Sequence, residues 1–199
     1  MKSMLFTSTI ILMIILAFIF TARCKNKSLE NNSNTKISNI KQNSNSDMTL
    51  TSDNFNNDDF LPVKYTCKGE GVSPELSWYD FPKETKSFAL IMEDPDTSST
   101  YVHWLAYNIP VKTIPINIES IPENSREVPN AINVVNDSGK NQYSPPCPPE
   151  GIHYYNFKIF ALDIDKLDNV NKSNFYAKIS PHIIDQAVLS SKFQIEMNY

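Results

Sequence analysis

Short apolar runs separated by turn-forming residues dominate the chain after residue 46. Three of these runs span residues 87–92, 104–109 and 155–162. Thirteen prolines occur in the chain, and most fall between such runs, where they interrupt regular structure. Apolar segments of strand length at this spacing are typical of all-β folds. The pattern therefore predicts a β-sandwich.

The run at residues 155–162 shows the period of two that a strand requires. Its odd-numbered positions are all aromatic or aliphatic, so they would share one face of a sheet. Asn156 and Lys158 would lie on the other face. Phe160 and Leu162 break the alternation, and we therefore expect the end of this strand to be buried on both faces.

Near the C-terminus the pattern changes and predicts a helix followed by a last strand. Ser180-Pro181 is a favourable helix start, because proline is well tolerated in the first turn. Apolar residues then follow at helical spacing: Ile183, Ile184, Ala187 and Val188. Residues 193–197 would form the last strand.

The N-terminus carries a leader or an anchor, which we assign to residues 1–24. Lys2 precedes an almost unbroken apolar run over residues 4–20, and Arg23 follows it. At ~1.5 Å per residue, a helical run of this length spans about 25 Å, slightly short for a bilayer. A cleavable signal peptide and an uncleaved anchor both remain open.

Cys24 has two interpretations. Thr21-Ala22-Arg23-Cys24 stands where a bacterial lipoprotein signal places its lipidated cysteine, although Arg23 occupies a position where a small residue is normal. The alternative is an incidental cysteine beside an uncleaved helix, whose flanking positive charges would keep that side cytoplasmic. We expect the protein to be extracytoplasmic, either tethered to the membrane through its N-terminus or secreted.

Composition divides the remaining chain into a tether and a domain. Residues 25–46 are rich in Asn, Ser and Lys and have too few apolar side chains to offset the entropy of ordering. We predict a disordered tether there and a single domain over residues 47–199. That domain holds twelve basic and twenty-one acidic residues, so nucleic acid is an unfavourable partner.

Candidate binding chemistry gathers near the ends of the predicted strands. Asp94-Pro95-Asp96 follows one apolar run, His103 begins the next, and His153 precedes the third. Taken alone, each of these motifs most often has only a structural role. Together, two imidazoles and two carboxylates would hold an anion, because a protonated imidazole donates two N–H groups and an adjacent carboxylate orients it and raises its pKa. The proline-rich stretch 145–149 is either a stiff connector or a pocket wall.

These pieces occur in the order and spacing of a known family, the phosphatidylethanolamine-binding proteins, in their bacterial and archaeal Raf-kinase-inhibitor-like branch. The resemblance covers essentially all of residues 47–199. It rests on these tracts: Tyr65-Thr66-Cys67-x-Gly69, Ser73-Pro74-x-Leu76-x-Trp78, residues 86–91, Asp94-Pro95-Asp96, His103-Trp104, Asn136-Asp137-x-Gly139, Pro146-Cys147-Pro148-Pro149-x-Gly151-x-His153, Tyr155, Ala161-Leu162-Asp163 and His182.

The resemblance implies a two-sheet antiparallel β-sandwich with short peripheral helices and a C-terminal helix containing His182. It also implies a pocket at one end for phosphate-like groups, with no metal, cofactor or catalytic residue. By match to the family, the ligand-binding residues are Asp94, Asp96, His103, His153 and Tyr155, with Pro148 and Pro149 as wall. Tyr143 and Trp104 would add apolar walls.

The sequence departs from the family at two positions of this pocket. Where the family commonly has Gly-x-His-Arg-Tyr, Tyr154 replaces the arginine, so a phosphate would lose a guanidinium partner or a structural ion pair would be absent. Pro145 replaces the glycine before Pro-Cys-Pro-Pro and would stiffen the loop. Cys67 and Cys147 both lie in matched motifs, and we expect them to form a disulfide in an oxidising compartment.

Three functions follow as hypotheses. The first is non-catalytic binding of a small phosphate-bearing anion, including a phospholipid head group. The second, also implied by the resemblance, is inhibition of a kinase or protease through the same pocket. The third is a metal-dependent hydrolase, since two Asp and two His resemble a ligand set. The sequence contains no HExxH, GxSxG or P-loop motif, which makes the third the least favoured.

Overall fold

A computed structural model describes residues 48–111 and 118–195, of which residues 118–120 are described by their backbone alone. Eight strands and one short α-helix follow one another in this part of the chain. The strands are β1 (Thr49–Thr51), β2 (Leu76–Tyr79), β3 (Ser87–Asp94), β4 (Tyr101–Pro110), β5 (Ile118–Ile121), β6 (Ile132–Asn133), β7 (Ile152–Leu162) and β8 (Ile183–Gln194). The helix α1 (Phe175–Ile179) precedes β8, and 3-10 turns lie at Val63–Tyr65 and Ser180–His182.

The strands form two antiparallel sheets. The smaller sheet has the order β1-β2-β5, and the larger has the order β6-β4-β3-β7-β8. All of their strand pairs run antiparallel, with Leu50 opposite Trp78 in the small sheet and Met92 opposite Phe157 in the large one. The predicted two-sheet β-sandwich with a short C-terminal helix is confirmed.

The main core lies between the two sheets. Trp78 of the small sheet packs edge-on against Phe88 of the large one, with 5.4 Å between ring centroids. A second core covers the outer face of the large sheet, where Phe175 and Ile179 of α1 pack. Every residue of β3 is therefore buried, because its alternate side chains enter different cores. Burial of Phe160 and Leu162 in the second core confirms the predicted two-sided burial of β7.

The predicted C-terminal secondary structure was wrong in its boundaries. The segment from Ile183 onward is strand β8 and not a helix, and its last described strand residue is Gln194. Ser180–His182 form only a 3-10 turn, so His182 does not lie in a final helix. Pairing with β7 along nearly its whole length satisfies the β8 backbone groups on that side, and burial alternates along the strand, with Val188 exposed.

Several sequence predictions fall on residues outside the described part of the chain. They are the leader at residues 1–24 with Cys24, the tether at residues 25–46, and the end of the last predicted strand. The division of the chain into a leader, a tether and a domain over residues 47–199 stays a prediction. The described residues belong to the unit spanning residues 46–199. Within residues 48–111 and 118–195, no helix is both long and apolar enough to cross a membrane.

Candidate functional site

A cavity of about 290 Å³ opens at one end of the large sheet, and we call it the strand-end cavity. It lies where β3 ends and where β4 and β7 begin, because these three strands are neighbours in an antiparallel sheet. The pairing of Asp94 with Tyr101 and of Glu93 with Asn156 fixes the register there. The lining residues are Asp94, Thr97, Tyr101, His103, Ser144, Pro145, Cys147, Pro148, Pro149, His153 and Tyr155.

Asp94 is the organising carboxylate of the cavity. It is only 3% exposed, and both of its oxygens accept hydrogen bonds. Oδ1 accepts from the backbone N–H of Asp96 at 2.9 Å, and Oδ2 lies 2.7 Å from Nδ1 of His153. Since a carboxylate can only accept, Nδ1 of His153 carries a hydrogen and Nε2 is directed away from Asp94. Asp94 therefore orients His153.

Asp96 does not line the cavity, in contrast to the prediction. Its side chain is exposed, and its Oδ2 accepts a hydrogen bond from the backbone N–H of Tyr154 at 2.7 Å. The physical reason is local: the turn after β3 passes beside the start of β7, and a charged acceptor there satisfies a backbone donor. Asp96 thus holds the turn against the strand that carries His153.

His103 is held by the backbone of the loop that follows β6. Its Nδ1 lies 2.9 Å from the carbonyl oxygen of Ser144, and the Ser144 N–H donates back to the His103 carbonyl at 3.0 Å. Asn136 Nδ2 donates to the same carbonyl at 2.7 Å. His103 is 5% exposed, and burial lowers its pKa below the ordinary value of 6.5, outweighing the Ser144 carbonyl and the nearby Asp94. The carboxylate effect predicted for the imidazoles is thus not dominant at His103.

Tyr155 contributes an unpaired polar group. Its side chain is fully buried, its ring packs edge-on against His103 with 5.3 Å between centroids, and its hydroxyl has no hydrogen-bond partner among the described residues. Asp94 acts on this hydroxyl through its charge and through a side-chain hydrogen-bond interaction that falls outside standard hydrogen-bond geometry. Burial, reinforced by the charges of Asp94 and Asp96, raises the pKa of Tyr155 far above its ordinary value. The phenol therefore remains a proton donor at neutral pH.

The proline-rich loop forms the opposite wall and is covalently anchored. Cys67 and Cys147 are joined by a disulfide, with 5.4 Å between their Cα atoms. The N–H of Cys67 also donates to the Pro146 carbonyl at 3.0 Å. Pro145, Pro148 and Pro149 line the cavity on this side. The loop is thus tied to the segment that contains the 3-10 turn Val63–Tyr65.

Two predicted wall residues lie elsewhere, and three lining residues were not predicted. Trp104 and Tyr143 belong to the main core, where they pack edge-on against each other and the Tyr143 hydroxyl donates to the Tyr65 carbonyl at 2.8 Å. The unpredicted lining residues are Thr97, Tyr101 and Ser144. Strand periodicity offered one signal, since Tyr101 is two positions before His103 and thus on the same face.

The lining of the cavity carries little formal charge. In the part of the chain that the structure describes, it includes one carboxylate and two imidazoles but no Lys or Arg. Tyr154, which stands where the family commonly has arginine, is an exposed residue. Within the ranges that the structure describes, no three His, Cys, Asp or Glu side chains form a metal-ligand group. The polar contacts available to a ligand therefore come mainly from imidazole and phenol groups.

Comparisons with known proteins agree with the architecture. A family model described as phosphatidylethanolamine-binding protein matches residues 51–194. A UPF0098 protein of Methanothermobacter thermautotrophicus is 38% identical over 145 residues, which cover 71% of this chain and 95% of that protein. Two crystal structures are similar: the homologue CT736 of Chlamydia trachomatis has a TM-score of 0.68 at 35% identity, covering 77% of this chain and all of CT736. Escherichia coli YbcL has a TM-score of 0.67 at 28% identity, covering 75% of this chain and 99% of YbcL.

Proposed function

Because the chain belongs to the phosphatidylethanolamine-binding protein family, whose members are ligand-binding proteins, we propose that it binds a small phosphate-bearing anion in the strand-end cavity without transforming it. The observation that carries the proposal is the buried, unpaired hydroxyl of Tyr155 beside an imidazole oriented by Asp94. An unsatisfied buried donor has a free-energy cost that a ligand oxygen would remove.

Hydrogen-bond geometry supports the anion as the ligand class. Tyr155 supplies an O–H donor, and protonated His153 would add an N–H donor whose positive charge is balanced by Asp94. Charge-assisted hydrogen bonds of this kind are stronger than neutral ones. The small volume of the cavity suits a phosphate-sized group, while the tail of a larger ligand would extend past Pro149, which is exposed.

A non-catalytic role is consistent with the surroundings of the two imidazoles. Each Nδ1 is engaged by a carboxylate or a backbone carbonyl, and the hydroxyl of Thr97 donates to the backbone carbonyl of Ser99 at 2.6 Å. Cys147, which lines the cavity, is joined to Cys67 in a disulfide and therefore has no free thiol. In the described part of the chain, therefore, no lining hydroxyl or thiol is hydrogen-bonded to an imidazole as an activated nucleophile requires.

We also propose an exported protein, tethered to the membrane by its N-terminus or secreted. The apolar run at residues 4–20 supports this, and a disulfide that closes a long loop fits an oxidising compartment. Regulation of a kinase or protease through the cavity stays a prediction.

Calorimetric titration of the full chain, purified in detergent, tests the ligand proposal. Phosphate and phosphoethanolamine are expected to bind, whereas ethanol, a neutral alcohol, is not. His153→Ala should weaken anion binding at least about tenfold, since it removes a charge-assisted donor. His182→Ala is the matched control, because its imidazole pairs with Asp163 outside the cavity lining. Anion binding that survives His153→Ala unchanged would contradict the assignment of the site.

A further inference from the structure

His103 presents a hydrogen-bond acceptor to the cavity. The Ser144 carbonyl oxygen, 2.9 Å from Nδ1, can only accept, so Nδ1 carries the hydrogen and the neutral ring leaves a lone pair at Nε2. The reciprocal bond from Ser144 N–H and the bond from Asn136 hold this segment in place. Among the described residues, no group is hydrogen-bonded to Nε2 of His103.

The neutral form of His103 is favoured by its surroundings. The side chain is nearly completely buried, and burial lowers the pKa of the imidazole, although the Asp94 and Asp137 carboxylates act in the opposite direction. A positive charge on this ring would also face the second imidazole, that of His153, across the cavity that both line. Nε2 of His103 is therefore an acceptor near neutral pH.

Donor groups lie beside His103 in the same cavity. Tyr155 presents an O–H group that has no partner in the described residues, and its high pKa keeps the proton in place. His153 becomes a second donor at Nε2 when protonated, because Asp94 already holds Nδ1–H. The cavity therefore presents donors and an acceptor next to one another. A ligand that matches both must carry an oxygen acceptor and a hydroxyl donor.

The charge of the cavity lining restricts the class of ligand further. Within residues 48–111 and 118–195, no Lys or Arg lines the cavity, and the buried carboxylate of Asp94 is part of the lining. A doubly charged anion would meet that carboxylate without a permanent cation to offset the repulsion. A singly charged anion that retains one acidic proton avoids most of this cost. Its P–O–H group would also donate a hydrogen bond to Nε2 of His103.

We propose that the strand-end cavity selects singly protonated phosphate groups, as in inorganic phosphate or a phosphate monoester, and that Nε2 of His103 recognises the P–O–H hydrogen. Phosphate diesters, including phospholipid head groups, and sulfate lack that hydrogen and bind more weakly. This selectivity rests on the proposed function, since it concerns the same cavity. His103 is thus a specificity-determining residue.

Three small anions separate the proposal from simple anion binding. Methyl phosphate has a P–O–H group, dimethyl phosphate is a singly charged diester without one, and sulfate is a dianion without one. Titrations of the full chain at pH 6 and constant ionic strength compare them, because a phosphate monoester has its second pKa near ~6 and both of its forms are present. We expect methyl phosphate to bind about tenfold or more tightly than either of the others, since a site built for a hydroxyl rejects analogues that lack it.

His103→Asn is the matched variant. An asparagine side chain keeps an N–H group near the position of Nδ1, where it can donate to Ser144, but has no counterpart of Nε2. The preference for methyl over dimethyl phosphate should fall to within about twofold of unity. A preference that persists in a folded variant would overturn the role of His103. If the variant does not fold, the three-anion comparison on the unmodified chain still decides the selectivity.

The outcomes distinguish the two proposals. Equal affinity for the three anions, or tighter binding of dimethyl phosphate, would overturn the selectivity and leave anion binding intact. Failure of all three to bind would overturn the proposed function and the selectivity together.

Discussion

Replacing Tyr155 by Phe removes a buried hydroxyl while the ring keeps its shape. The hydroxyl is fully buried and has no hydrogen-bond partner, so in the unliganded protein it has lost water without gaining a replacement. An unsatisfied buried polar group of this kind costs about 1–3 kcal/mol. Tyr155→Phe should therefore increase the free energy of unfolding by an amount in that range.

The same substitution should weaken ligand binding. If the hydroxyl donates to a bound phosphate oxygen, its loss removes one hydrogen bond to a charged group, worth about 1.5–3 kcal/mol, or roughly tenfold to a hundredfold in affinity. Stability and affinity thus change in opposite directions. A purely structural tyrosine would not behave in this way.

Tyr143→Phe is the control, and we expect it to change the free energy of unfolding in the opposite direction. Its hydroxyl is equally buried but donates to the Tyr65 carbonyl at 2.8 Å, so its removal should lower the free energy of unfolding by about 1 kcal/mol or more. Chemical denaturation of both variants without ligand, and calorimetric titration with phosphate, measure the two effects. A loss of stability in Tyr155→Phe would refute the reasoning, because it would mean that Asp94 or another group satisfies the hydroxyl.

Three further predictions concern stability. Reduction of the Cys67–Cys147 disulfide, whose cysteines are 80 residues apart, should lower the free energy of unfolding by about 4–5 kcal/mol on the chain-entropy model, as measured by denaturation with and without reductant; an unchanged midpoint would contradict this. Gly69→Ala should cost ~1–3 kcal/mol, because a Cβ atom there would overlap the backbone carbonyl of Val63; a denaturation midpoint equal to that of the parent would show that the turn adapts. Since burial lowers the folded-state pKa of His103, its contribution to stability is present above pH 6.5 and is lost as pH falls; thermal unfolding between pH 7 and 5 should show a steeper decline in the parent than in His103→Asn.

The local sequence predicted secondary structure reliably where only one periodicity fitted the pattern of apolar residues. In β7, the alternation that begins at Tyr155 admits only a strand, and the apolar residues at positions 160 and 162 correctly predicted burial on the second face, which packs in the core that contains α1. The C-terminal segment was different. Ile183, Ala187 and Val188 fit a helical spacing, and only pairing with β7 decided in favour of a strand.

The functional site shows the same division between what the sequence predicted and what the tertiary structure decided. The residue types of Asp94, His103 and His153 indicated the chemistry, and the family resemblance indicated that they converge. Their individual roles depended on partners distant in the sequence: the Ser144 carbonyl makes Nε2 of His103 an acceptor, and the N–H of Tyr154 draws the Asp96 carboxylate outside the cavity lining.

The sequence by itself determined that segments such as residues 155–162 are strands, which of their faces are buried, and which side chains are available for binding an anion. The tertiary structure decided the strand order β4-β3-β7, the hydrogen-bonding polarity of each imidazole, and that the buried Tyr155 hydroxyl has no partner among the described residues. The physical reason is that side-chain periodicity records only on which face of a strand a residue lies. Partners and burial arise from contacts between residues dozens of positions apart, and burial in turn sets the pKa and the unpaired donor on which the proposed binding depends.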